Sequence, residues 1–146
     1  MCGRLDYVNI VFVEPHFPKN QREFVRALAQ AGAFVIGIGE TPAEYLDDEL
    51  ESWMGHYEQV GSVTDVGQMT AAVRHVQSWV WIDRLEATIE SHTLPAALVR
   101  EAGRVPGAGR VVWGARTTRP TTEWRYISVR RTAMFLRRSI YNGIQW

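Results

Sequence analysis

The sequence predicts an α/β fold: a Rossmann-like parallel sheet with helices on both faces, extended by a C-terminal β-strand and amphipathic helix. Three observations predict it. Short β-branched runs alternate with stretches of helical periodicity through the first hundred residues, glycine, proline and capping residues punctuate the changes, and the composition shifts sharply just after residue 107. Strand–helix alternation implies right-handed βαβ units, and therefore parallel strands buried on both faces.

The elements follow in order. VNIVFV (8–13) is short, β-branched and stopped by the prolines of EPHFP, the pattern of a buried strand. In NQREFVRALAQAG, Asn20 is a candidate cap, Phe24, Leu28 and Ala31 share one helical face, and Gly32 ends the helix. AFVIGIG is a second buried strand, expected over 34–38. TPAEYLDDELESWM is a second helix with Thr41 as cap, Pro42 in its first position and Leu46, Leu50, Trp53 and Met54 as its apolar stripe. A strand over 57–60 and a helix capped by Thr64 or Asp65 follow, the latter burying Val66, Met69, Val73 and Val76. A fourth strand is expected around 80–82, and TLPAALVREAG is a further helix. The predicted core includes Ile10, Phe12, Phe24, Leu28, Val35, Leu50, Val73 and Val76.

A chain of 146 residues accommodates one ordinary domain with an appendage. Hydrophobic residues at 46% and charged residues at 22% are those of a soluble globular protein, with no apolar run near the roughly 20 residues that span a bilayer. No signal peptide is expected, and the single cysteine, Cys2, excludes an internal disulfide framework, so a cytoplasmic setting is the default. The net charge of zero conceals a split. Residues 1–103 hold Lys19 and six arginines against fifteen acids, whereas residues 104–146 hold nine arginines against Glu123. Such a split marks either a basic partner-binding tail or two halves that neutralise each other.

Ligands of an open parallel sheet bind at the carboxyl ends of its strands. Two loops occupy such positions, Glu14-Pro15-His16-Phe17-Pro18 and Gly37-Ile38-Gly39-Glu40-Thr41, and Glu14, His16, Gly39 and Glu40 are the candidate substrate-binding residues. The second loop is not a dinucleotide fingerprint, because Pro42 stands where the third glycine of GxGxxG belongs and the loop follows the second strand. No GxxxxGK[ST] phosphate loop occurs. His16 is either a general base at a strand end or a loop-packing residue between prolines. Asp83, Glu86, Glu90 and His92 suggest a metal site, with Glu86 and Glu90 on one helical face. Lacking a second histidine at ligand spacing, they read instead as a solvated or salt-bridged face. No catalytic residue and no metal ligand is assigned.

VNIVFVEPHFPKNQREFVRALAQAGAFVIGIGE, LDDEL, HYEQVGSVTD, WIDRLEAT and LVREAGRVPG, in that order and spacing, resemble the amino-terminal region of bacterial ATP-grasp ligase-type proteins over residues 8–107. The resemblance implies a pre-ATP-grasp domain, a Rossmann-like unit that packs against the nucleotide-binding fold and helps shape the acceptor-substrate site. ATP-grasp catalysis needs a glycine-rich loop, a lysine over the phosphates and magnesium ligands. This sequence has one lysine, Lys19, and 39 residues after Gly107, so that chemistry is not expected here. ATP and magnesium would enter only with an ATP-grasp core supplied by another chain.

The segment 108–146 has a different character. GRVVWGART alternates like a strand, TTRPTTE is a connection, and Val129, Ala133, Leu136 and Ile140 mark an amphipathic helix stopped by Asn142-Gly143. Arg130, Arg131, Arg137 and Arg138 line its other side. With Trp124, Tyr126 and Phe135 they offer a nucleic-acid reading, but a solvated face or a protein contact fits better. WGART, WRY and VRR, followed by a helix and a closing QW, resemble the carboxy-terminal domain of contractile phage tail sheath proteins. That resemblance implies assembly contacts by sheet augmentation, with Val111, Trp113, Arg130 and Arg131 as candidates, self-association or sheath-type subunits as partners, and association with the virion. The expectation is a noncatalytic fusion acting in binding or assembly. The alternatives are the substrate-binding part of a split ligase and a sheath-related structural protein.

Overall fold

The computed structural model describes residues 7–107. The expected strand and helix of 108–146, with Val111, Trp113, Arg130 and Arg131, lie outside the described residues. The order is β1 (Asn9–Val13), α1 (Gln21–Gln30), β2 (Phe34–Gly39), a 3₁₀ turn (Ala43–Tyr45), α2 (Asp48–Trp53), β3 (His56–Gln59), α3 (Val66–Gln77), β4 (Arg84–Glu86) and α4 (Glu90–Gly103). The four strands form one parallel sheet in the order β3-β2-β1-β4, the mixed α/β architecture of a Rossmann-like half. Registers are tight: Val11 lies beside Ile36 on one side and Leu85 on the other.

Strand side chains alternate, so β1 feeds two cores. Val11 and Val13, with Ile36, Ile38 and Leu85, pack against Met69, Val73 and Val76 of α3 and Ala96 and Val99 of α4. Ile10 and Phe12, with Val35, pack against Val25 and Leu28 of α1, Leu46, and Leu50 of α2. Helices therefore cover both faces, as expected. Each fully buried aliphatic side chain contributes about 1.5–3 kcal/mol relative to exposure, enough in sum to fix which face is which.

Four local expectations need correction. Phe24 is 36% exposed and not a core residue; the buried stripe of α1 is Gln21, Val25 and Leu28, and the Phe24 ring only flanks Phe12 at 6.2 Å. Asn20 has helical dihedrals (φ −69°, ψ −16°) and caps nothing with its side chain, whereas Gly32, at φ +85°, does end the helix. The single helix over 41–54 is instead two pieces. The Thr41 carbonyl accepts the Tyr57 hydroxyl at 2.7 Å and Leu46 is extended, so the α-helix starts only after Asp47, whose side chain accepts the Leu50 amide at 2.9 Å.

The fourth strand lies at Arg84–Glu86, not at 80–82. Asn9 explains the offset: its amide donates to Asp83 Oδ2 (2.8 Å), its side chain donates to the Trp81 carbonyl (2.7 Å), and its carbonyl accepts the Asp83 amide (2.9 Å). Residues 79–82 are thereby held as a connection tied to the start of β1. Consequently Glu86 sits on β4 and Glu90 opens α4, so the two do not share a helical face.

Asp47 does two jobs. Besides the cap it receives Arg22 on both oxygens, at 3.1 and 2.9 Å, and Arg22 also reaches Glu49 and lies over the Trp53 ring. The Leu50 amide, opposed by burial and aided by Arg22, holds its carboxyl below the usual range. Its stabilisation is therefore present above the unfolded aspartate value and lost as pH falls through the folded one. Asp47→Ala is expected to cost about 1 kcal/mol at neutral pH, mostly as a lost cap. The part of that difference linked to ionisation should be lost well below about pH 4, so urea unfolding would show a smaller gap there than at neutral pH.

Candidate functional site at the carboxyl ends of β1 and β2

The strand order reverses at β1: the chain builds β2 and β3 to one side, then crosses to β4 on the other. The carboxyl end of β1 is thus the topological switch point, where open α/β sheets bind ligands. Glu14 occupies it. Its backbone has φ +56°, uncommon for a residue with a side chain, and its amide still donates to Ile38 at 2.7 Å. This twist ends the strand and turns the Glu14 side chain toward β2, where it is only 6% exposed.

Three of the four sequence candidates meet there. Glu14 Oε2 accepts the Glu40 amide at 3.1 Å. Gly39 leaves the space between them: a Cβ at that position would stand 3.3 Å from Glu14 Oε1 and 2.8 Å from the Tyr57 hydroxyl. Glu40 Oε1 accepts the Val63 amide at 2.9 Å, which ties the loop after β3 to the same end of the sheet. His16, the fourth, packs one step outward, with Nδ1 3.3 Å from Thr41 Oγ1, and so joins the two strand-end loops. The Phe17–Pro18 bond between His16 and α1 is cis.

Electrostatics set the site's character. Burial raises the Glu14 carboxyl above its ordinary value; the Glu40 amide opposes this and the Glu40 charge adds to it. Burial, with Glu14 and Glu40 nearby, holds the Tyr57 phenol far above its usual range, so it remains a hydroxyl donor. Across the switch point, burial lowers His92 while Glu40 pulls it upward. His92 Nδ1 is buried with no hydrogen-bond partner among the described residues. Gln21, 3% exposed at the start of α1, accepts the Thr88 hydroxyl from the β4–α4 connection.

Sequence reasoning missed Tyr57, Gln21 and Thr88 and placed His92 in a different constellation. Nothing local marks Tyr57 as a site residue; only the β2–β3 register, Gly37 beside Tyr57 and Gly39 beside Gln59, brings it under the glycines. Around this end Phe17, Tyr45 and Leu94 stand 68%, 69% and 47% exposed. Among the described residues, no group of three or more His, Cys, Asp or Glu is arranged to hold a metal ion, and no helix is long and apolar enough to cross a membrane.

Fold and site together define a class: a Rossmann-like half-sheet with two acids and a close-packed glycine gathered at its switch point. No family model matches the chain, and no curated protein matches it as a relative.

Proposed function

We propose that residues 7–107 form a noncatalytic binding module that takes a small donor-rich molecule, a protonated amine or a polyol, at the carboxyl ends of β1 and β2. In this reading segment 108–146 adds an assembly role of the kind its sheath-like sequence implies. The observation that carries the binding assignment is Glu14, a buried carboxylate at positive φ just past the end of β1, beside Glu40 and Tyr57. Carboxylates accept and do not donate, and the Glu40 amide on Oε2 and the Phe17 amide together fill only part of the acceptor capacity of Glu14. An anionic ligand would meet two acids, whereas an ammonium or hydroxyl group would supply the donors they lack.

A second reading is favoured by the exposed Phe17, Tyr45 and Leu94 at the same end. Exposed apolar groups around a polar site suit a wall contributed by another protein. The module would then be the substrate-binding part of an ATP-grasp ligase whose ATP- and magnesium-binding core is a separate chain. Its Glu14, His16, Gly39 and Glu40 would line the acceptor pocket.

Amide-resolved NMR titration of the full chain with amino acids, diamines and sugars tests the first reading. Saturable shifts centred on Glu14, Gly39, Glu40 and Tyr57 are expected with a member of the amine or polyol class, with no ATP turnover in magnesium. Shifts induced only by anions would overturn the ligand class. Turnover by the chain alone, lost on changing Glu14, would overturn the noncatalytic assignment. Copurification of an ATP-hydrolysing partner would favour the split enzyme.

A further inference from the structure

β3 is the least buried strand of the sheet. Among the described residues it pairs only with β2, and none of His56, Tyr57, Glu58 and Gln59 is fully buried. A strand so placed opens more readily than a central one, so its few contacts with the layer behind it decide how firmly it is held. Tyr57 faces the cluster under α1 and α2, whereas Glu58, one residue on, faces α3.

There a single carboxylate oxygen takes two imidazoles. Glu58 Oε1 lies 2.8 Å from His56 Nε2 and 2.6 Å from Nδ1 of His75, which stands in the last turn of α3. An ionised carboxylate only accepts, so both nitrogens present an N–H to it. The Trp79 ring meets His56 edge-on at 5.0 Å. β2 sets apolar Ile36 and Ile38 beside His56 and Glu58, and Arg74, the other basic residue in the last turn of α3, is exposed. The two bonds differ in what they join. His56 and Glu58 share a strand, so their bond survives when β3 lifts, but the bond to His75 crosses to α3 and must break.

Burial pushes the Glu58 carboxyl up, and the N–H bonds from His56 and His75 outweigh it, holding the group below the usual range. Its stabilisation is therefore present above the unfolded glutamate value, about 4.3, and lost as pH falls through the folded one. Charge sets the upper limit. With both imidazoles neutral the trio carries one negative charge; one proton makes it neutral and turns a hydrogen bond into an ion pair. A second proton leaves an excess positive charge, so one is the optimum.

We propose that Glu58, His56 and His75 form a proton-operated latch between β3 and α3, tightest while Glu58 is ionised and one proton is shared by the two imidazoles, and slack when both are neutral. His75 is the group that couples the two elements, and His56 positions the carboxylate. Tyr57 rides on the same strand and donates to the Thr41 carbonyl, so the latch steadies that wall of the strand-end site whatever the site binds.

Amide hydrogen exchange of the full chain, followed by NMR at about pH 5.5 and about pH 8 on either side of the ordinary histidine value, tests this. The probes are the Gly55 and Val60 amides, which donate to Val35 and Gly39 of β2 at 2.8 and 2.9 Å at the two ends of β3. The quantity read is the protection at the lower pH divided by that at the higher, after correction for intrinsic exchange. In the parent this ratio is expected to exceed that of His75→Asn at least about threefold, a modest factor because the His75 side chain is 63% exposed. Asparagine keeps an N–H donor near the Nδ1 position but does not titrate, so loss of the hydrogen bond alone cannot produce the difference. Glu58→Gln should match His75→Asn and serves if that variant fails to fold, whereas His56→Gln should keep most of the effect. Equal ratios in the parent and His75→Asn, or in the parent and Glu58→Gln, would overturn the proposal. So would an effect lost in His56→Gln and kept in His75→Asn, which would confine the proton to β3 and leave α3 uncoupled.

Discussion

Phe12→Ala is expected to lower the free energy of unfolding by about 3–5 kcal/mol, a large part of the 5–15 kcal/mol typical of a whole domain. Phe12 is among the largest fully buried side chains and stands on β1, one of the two strands with a partner on each side. It belongs to the cluster of Ile10, Val25, Leu28, Val35, Leu46 and Leu50, so removing its ring opens a cavity that several rigid neighbours cannot fill together. Phe24→Ala is the internal control. Its ring is stacked on Phe12 but 36% exposed, and its truncation should cost only about 1 kcal/mol. Urea unfolding would show the midpoint of Phe12→Ala falling far below that of Phe24→Ala at unchanged slope. Equal costs would mean that the α1–α2 face is not packed as described.

The contrast between these two phenylalanines also shows how far the sequence could be read. Period-two and period-3.6 patterns place Ile10, Phe12, Val35, Leu50, Val73 and Val76 in the core, because strand alternation and helical stripes are imposed by burial itself. Phe24 escapes this logic. In α1 the stripe at 21, 25 and 28 includes a buried glutamine, whose partner Thr88 lies 67 residues away and leaves no local mark. The misplacement of β4 has the same origin. Residues 79–82 have better strand composition than Arg84–Glu86, but Asn9, distant in sequence, decides the register through three hydrogen bonds. For the site, the rule that ligands gather at strand ends nominates Glu14, His16, Gly39 and Glu40 before any geometry, and the structure brings Glu14, Gly39 and Glu40 together. Tyr57 required the β2–β3 pairing, a tertiary fact. The helix split at Asp47 lies between these cases: an Asp three residues before Leu50 is a legible cap, but Thr41-Pro42 is an equally good one until the Tyr57 hydroxyl claims the Thr41 carbonyl.

Glu14→Gln should separate binding from stability, because the two respond in opposite directions. Burial, the largest influence on Glu14, raises its carboxyl value in the folded protein. A carboxyl whose folded value lies above its unfolded one costs stability at pH above both. That cost is relieved as pH falls through the folded value and is absent below the unfolded value, about 4.3 for glutamate. Glutamine has the same shape without the charge, and its carbonyl oxygen can still accept the Glu40 amide that now reaches Oε2 at 3.1 Å. The variant should therefore melt higher than the parent at pH 7, with the gap closing toward pH 4. Binding should move the other way. A charge-assisted hydrogen bond from an ammonium or hydroxyl donor is worth about 1.5–3 kcal/mol, so its loss weakens affinity by roughly ten- to a hundredfold. A residue that gains stability and loses binding on neutralisation is one held in an unfavourable state for a purpose, the usual pattern at functional sites. Differential scanning calorimetry across pH, paired with calorimetric titration of an amine or polyol identified by NMR, measures both quantities on the same two proteins. A variant that melts lower and still binds would make Glu14 a structural staple between β1 and β2 and move the site elsewhere on the sheet.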